Sequence, residues 1–324
     1  GKLYAVHLKP EGSSYTATKE EFVTGAPLPI TDAIIHPDDG AMYFTIGGRK
    51  VQSGLYRVTY VGDESTNPIV PELAENLARV TRHRLEAFHG KKDADAVKVA
   101  WPHLSDSDRF IRFAARTAIE HQPVEEWADK ALSESDPKKQ IEAILALTRV
   151  TGVCPQHRDD STPPVDTDMR DKLLQAMIKI DLTNLDQASQ LTYQRTLQII
   201  LSRFGRPDEA IIKQLVSKID PLFPSGSAEM NWLLCETLAW LESPTIAQKA
   251  IAMIQSVPTQ EEQMQYARSI RLLRNGWTDQ LKEEYFSWFL KAANYRGGAS
   301  FAKFVEFIRD DAVASLSAAQ KQSL

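Results

Sequence analysis

The chain has 324 residues, 43% of them hydrophobic and 25% charged, with a net charge of −5. That leaves room for one large domain or two ordinary ones around a substantial core. The acidic balance argues against nucleic acid as the main partner, and no apolar run reaches the ~18 residues that a membrane-spanning helix needs. Two cysteines, Cys154 and Cys235, make no disulfide framework. The chain opens at Gly1 without Met or signal peptide and already reads as a strand, as expected of a piece processed or excised from something longer.

Residues 1–63 differ in kind from the rest. Leu3–Leu8, Tyr15–Thr24, Asp32–His36, Ala41–Ile46 and Gly54–Val61 are short runs rich in Val, Ile, Thr, Tyr and Phe, separated by turn-forming stretches. They predict a small antiparallel sheet of four or five strands. Asp39-Gly40 is the strongest hairpin signal, because a type I′ turn needs positive φ and suits Asp-Gly. A meander of this size rarely buries enough to stand alone, so it must pack on helices or belong to a larger ring. Its strand count is roughly that of one propeller blade.

A polar, proline-containing connector spans residues 64–71, and the period then changes from two to 3.6. Leu73, Leu77 and Val80 begin a helix running to about His89. In Val99–Gln122 the Ser105/Asp108 pair has capping-box spacing, and Ile111, Ala115, Ala118 and Ile119 then recur at helical intervals. Asp136-Pro137 is a cap followed by a first helical position. Residues 152–168 lack periodicity and read as a long exposed loop. Asp208, Ser243-Pro244, Thr259 with Glu262, and Trp277-Thr278 mark later helix starts. Ten to twelve helices are expected over residues 72–316, with a polar tail at 317–324. Divided into pairs of about 40 residues, they make five or six units.

Two resemblances sharpen this. Pro102, Leu104, Asp106, Ile111, Arg112, Ala115 and Ala118 stand in the places of the HEAT-repeat pattern, and the match resembles one good copy of it. The resemblance implies helix pairs stacked laterally into an α-solenoid. The second is carried by Pro37-Asp38-Asp39-Gly40, Met42-Tyr43-Phe44-Thr45, Gly47-Gly48-Arg49 and Gly54-Leu55-Tyr56-Arg57. These look like the last blade of a glucose/sorbosone-dehydrogenase-type propeller. In a family of very large extracytoplasmic proteins typical of planctomycetes, such a propeller precedes a HEAT-like region and then a c-type cytochrome domain. The later text NWLLCETLAWL and GWTDQLKEEYFSWFLKAANYRGGASFAKFV is similar to that family too. The family implies haem c and a quinone cofactor in the parent. This chain has no Cys-x-x-Cys-His and only one blade, so neither group is expected to be held here.

Several constellations invite chemistry. His83 and His89 lie about 240° apart on an ideal helix and make no zinc pair, whereas Arg82, Glu86 and His89 share a face and read as a polar interface. Cys154 and His157, with Asp159 and Asp160 nearby, are the candidate metal ligands, but one Cys and one His fall short of four. The plainer reading is an exposed thiol or loop packing. Arg49 is the candidate catalytic residue, since in the resembled dehydrogenases arginines on such loops contact cofactor and substrate; the plainer reading is a solvated side chain on a wide glycine turn. Arg109, Arg112 and Arg116 form a basic stripe that either pairs within the repeats, Arg112 with Asp106, or binds an anion. No Gly-x-Ser-x-Gly, P-loop, His-Glu-x-x-His or dinucleotide glycine motif occurs.

The expected protein is therefore mainly α: a HEAT-like α-solenoid preceded by a small antiparallel β-sheet resembling one propeller blade. Its expected role is a non-catalytic interaction scaffold within an extracytoplasmic, haem-associated dehydrogenase-like protein. The partner is another protein or neighbouring domains of the same polypeptide. The alternative is a part of a quinone-cofactor sugar or alcohol oxidoreductase that lends propeller loops to its active site.

Overall fold

The structure, a computed structural model, describes residues 1–48, 50–67, 76–298, 300–316 and 321. The chain is mainly helical with small antiparallel sheets, and thirteen α-helices and five strands are found among the described residues. The excess over the expected helix count comes from short pieces such as Ala96–Ala100 and Ala128–Ser133. Two compact units divide it, Gly1–Ala87 with Asp106–Ala114, and Phe88–Ser105 with Ala115–Leu324. Arg49, Leu73 and most of the 317–324 tail lie outside the described residues, as does the second half of the 64–71 connector.

In the first unit β1 (Lys2–Glu11) pairs with β2 (Ser14–Thr24), and β3 (Ile30–Ile35), β4 (Met42–Gly48) and β5 (Val51–Val58) form a meander. The single sheet expected from strand spacing is thus two sheets. The described ladders join β1 to β2 and β3 through β4 to β5, with Pro27 and Pro29 in the segment between β2 and β3. The sheets meet instead through side chains: Val23 of β2 packs with Ile30, Met42 and Val58 around buried Leu28, Phe44 and Ile46. Phe44 pairs in register with Tyr56, and their rings stack at 5.0 Å. The hairpin at Asp39-Gly40 is present, but only Gly40 has positive φ, 64°. His36 N–H bonds Ala41 O at 2.9 Å, so the loop is longer than a two-residue turn.

α1 (Leu77–Glu86) starts at Asn76, whose Oδ1 accepts from Ala78 N–H at 3.0 Å. It stops at Glu86, short of the His89 expected. The β1–β2 turn has Gly12 at φ 53°, where a Cβ would come within 2.7 Å of Asp108 Oδ2. Three side chains hold that tip. Asn76 Nδ2 donates to Gly12 O at 2.7 Å, Asp108 Oδ2 accepts from Ser13 N–H at 2.6 Å, and the Arg79 guanidinium lies over Tyr15 at 4.6 Å.

α3 (Arg109–Glu120) begins in the first unit and ends in the second. Its start is not capped by Ser105 as the spacing predicts. Asp108 stands immediately before the helix and accepts from Phe110 N–H at 2.9 Å, so the capping carboxylate sits three residues later.

The second unit holds α2 (Ala96–Ala100), α4 (Ala128–Ser133), α5 (Pro137–Thr151), α6 (Thr167–Lys179), α7 (Gln187–Phe204) and α8 (Glu209–Ile219). It continues with α9 (Ala228–Trp240), α10 (Ile246–Ser256), α11 (Gln260–Ile270), α12 (Asp279–Ala292) and α13 (Phe301–Ala314). Asp136, Asp208, Thr259 and Thr278 cap helices as expected, and Asp166, Asp186 and Ser227 do the same. α10 starts later than Ser243-Pro244 suggests. The Ser243 hydroxyl donates to Asp220 at 2.9 Å and its N–H to Leu238 O at 2.9 Å, which ties it back to the preceding segment.

These helices pack with a regular skip. α5 touches α7, α7 touches α9, α9 touches α11 and α11 touches α13, giving one unbroken row. A second row lies in two stretches, α4–α6–α8 and α10–α12, and the rows join through pairs such as α4–α5, α6–α7 and α10–α11. α9 is covered by α7, α8, α10 and α11, which is why NWLLCETLAW is apolar nearly all round, with Leu234, Cys235 and Leu238 fully buried. No described helix is long and apolar enough to cross a membrane.

Candidate interaction surface

The residues singled out by sequence separate into small local groups. On α1 Glu86 binds both Arg82, at 3.2 Å, and His83, at 2.8 Å. His89 lies in the turn beyond that helix, its ring 6.2 Å from that of His121. Arg112 donates to the main-chain oxygens of Asp106 and Ser107 at 2.7 and 3.2 Å. Arg116 is flanked by two carboxylates, Glu120 at 3.2 Å and Glu142 at 3.1 Å. Arg109 lies beside Phe110 at 5.2 Å. Each arginine of the stripe thus has a local companion of its own.

The long loop after α5 is folded on itself. Cys154, partly buried, precedes a 3-10 turn at Pro155–His157, and His157 is exposed. The Asp159 carboxylate accepts from the Ser161 and Thr162 hydroxyls at 2.7 and 2.9 Å, which lowers its pKa. Among the described residues no three His, Cys, Asp or Glu side chains gather as a metal set.

A concave feature crosses α5, α7 and α9, with a volume of about 620 Å³. Its construction begins with a polar stripe on α7: Arg195, Gln198 and Ser202 are spaced i, i+3, i+7 and share a face. α5 brings Arg149 and, just beyond its end, Cys154; α9 brings Glu236 and Trp240. Gln198 is the hinge of the polar network. Its Nε2 donates to Glu236 Oε2 at 3.2 Å and Thr237 Oγ1 at 3.2 Å, and its Oε1 accepts from Arg195 at 2.8 Å. Arg203 donates to the carbonyls of Arg149 and Gly152 at 2.8 and 2.6 Å, closing the end of α5 from the neighbouring helix. Arg149 reaches Glu120 at 2.8 Å.

Trp240 is 43% exposed at the rim, with the Arg206 guanidinium 5.6 Å from its ring. The two thiols differ in reach. Cys154 lines the groove, whereas burial pushes the Cys235 thiol up to about 12. Three arginines and one carboxylate line it, a positive lining on a chain of net charge −5, with Glu236 also 3.4 Å from Arg268. Such a surface recognises by donating hydrogen bonds. A second cleft, about 380 Å³ between α11 and α13, is more apolar and is lined by Met264, Phe301, Phe304 and Phe307, with Arg271 paired to Asp311 at 2.8 Å.

Of the groove, sequence reasoning marked only Cys154. Arg149, Arg195, Arg203 and Trp240 went unmarked, because they stand on three different helices and no local spacing joins them.

Fold and groove together define a mainly helical protein with a small antiparallel β portion and an arginine-bearing recess on one helix row. No family model matches the chain, and no curated protein matches it.

Proposed function

We propose that the chain is a non-catalytic interaction scaffold, built as a HEAT-like α-solenoid behind a propeller-blade-like β portion. The observation that carries this is the unbroken row α5, α7, α9, α11, α13 with a second row laid alongside it. Stacked helix pairs pack in this way because each pair leaves an apolar stripe that only the next pair can cover. The groove across the middle of the row gives that wall a place to hold a partner. On the β side, Val6, Leu8, Ile34 and Leu55 remain exposed, the kind of surface that an adjoining blade would cover.

By resemblance, the parent protein is extracytoplasmic and couples a dehydrogenase-type propeller to a c-type cytochrome domain. Haem and quinone then belong to those neighbours, and this chain holds them in fixed relation. Mixing the chain with its propeller and cytochrome segments at about 100 µM and measuring mass by light scattering tests the scaffold. A complex whose mass is the sum of its parts is expected. Separate masses, or turnover of a sugar by this chain alone once quinone cofactor and electron acceptor are added, would overturn it.

A further inference from the structure

We propose that the groove across α5, α7 and α9 takes an acidic polypeptide segment in extended form, its carboxylates on Arg149, Arg195 and Arg203 and an apolar side chain against Trp240. This deepens the scaffold reading and rests on it for the expectation of a protein partner. Charge complementarity comes first. The lining is positive while the molecule as a whole is negative, so an acidic segment is drawn to this recess. Donor capacity comes second. A guanidinium carries five N–H groups in a fork that fits a carboxylate, and Arg195 shows one hydrogen bond, to Gln198.

Size is the third point. Neighbouring helix axes lie about 9 Å apart, so three helices offer a track of about 20 Å, the length of roughly six extended residues. Trp240 supplies the aromatic anchor that such interfaces concentrate their energy on. Glu236 decides the class of partner. A carboxylate amid the arginines accepts main-chain N–H groups of a peptide, donors that the sugar-phosphate backbone of a nucleic acid does not offer. Trp240 is the one exposed aromatic among the described lining residues, and single-stranded nucleic acid needs several to stack on.

The test uses the full chain and a fluorescein-labelled peptide of about ten alternating Glu and Leu residues. Its Lys-for-Glu counterpart and a single-stranded thymidine oligonucleotide serve as comparisons. Binding is read by anisotropy and by the alkylation rate of Cys154, which reports alone because Cys235 is buried. The acidic peptide is expected to bind, to slow Cys154 alkylation, and to lose affinity as salt is raised. Arg195→Glu should weaken it about tenfold or more, and Arg195→Lys by much less. Arg195 is exposed and bonded within its own helix, so a melting curve serves as the folding control; the Cys154 protection on the unaltered chain stands apart from any variant. Tighter binding of the oligonucleotide or the basic peptide, an unprotected Cys154, or full affinity in Arg195→Glu would overturn the proposal. Peptide failure beside an intact complex with the neighbouring segments would remove the groove assignment and leave the scaffold. The converse result would remove the scaffold and leave the groove.

Discussion

Gln263 has one side-chain oxygen and three donors directed at it. Trp288 Nε1 donates at 3.2 Å, Lys291 Nζ at 3.1 Å, and the Tyr295 hydroxyl completes the set, while Gln263 Nε2 donates to Val257 O at 2.9 Å. Gln263 is itself buried. Its replacement by Ala strands an indole N–H and a hydroxyl inside the α11–α12 contact, at a cost of about 3 kcal/mol. A urea midpoint that falls with the slope unchanged would agree; a loss under about 0.5 kcal/mol would not.

Asp186 makes a different residue-scale case. Its bond with Lys138, and then the Ser189 N–H at the start of α7, lower its carboxyl from 3.8 to about 2. The unfolded chain therefore takes up this proton first as pH falls. Asp186 stabilises fully above pH 3.8, and the contribution fades as pH drops toward 2. Both side chains are about half exposed, so the effect stays under about 1 kcal/mol. Asn keeps the cap but not the charge. The stability gap between Asp186→Asn and the unaltered chain should narrow over that acid range, as a chemical-unfolding series in pH would measure; a constant gap would contradict it.

At the scale of elements, α5 and α7 are joined by more than apolar packing. Arg203 satisfies two carbonyls at the end of α5, the groups that a helix leaves unpaired. Arg203→Ala should cost about 2 kcal/mol, and amide exchange should rise in the last turn of α5 before it rises in α7. Equal exchange in both helices would show that the contact is incidental. Most helices were legible because their evidence is local: Asp136-Pro137, Asp208, Thr259 with Glu262 and Thr278 cap by contacts within three residues. Errors fell where a distant group competes. Asp108 serves both Phe110 and Ser13, and Ser243 is drawn to Asp220, so neither start could be placed from neighbouring residues. The division of the strands into two sheets likewise depends on which edges pair, and period-two patterning marks strands without marking partners.

At the scale of the whole molecule, legibility follows the same rule. The mainly helical character and the β-rich opening were readable from the change in period near residue 71. Cys235 was readable as a core residue from its apolar surroundings, and it is fully buried. The groove was not readable, because Arg149, Arg195 and Trp240 stand far apart in sequence and become neighbours only through the skip packing of α5, α7 and α9. A single helix face carries periodicity; a row of helices does not. The stripe Arg109, Arg112 and Arg116 drew notice for its regular spacing, and its members have companions close by; the groove arginines have companions too, and what sets them apart is that they line one recess.

Hydrogen exchange on the chain with and without the propeller and cytochrome segments proposed as its neighbours tests most directly whether this helix row is a docking wall. Slowed exchange concentrated along α5, α7 and α9 is the predicted result. Exchange unchanged there, with any slowing confined to other helices or the strands, would contradict it.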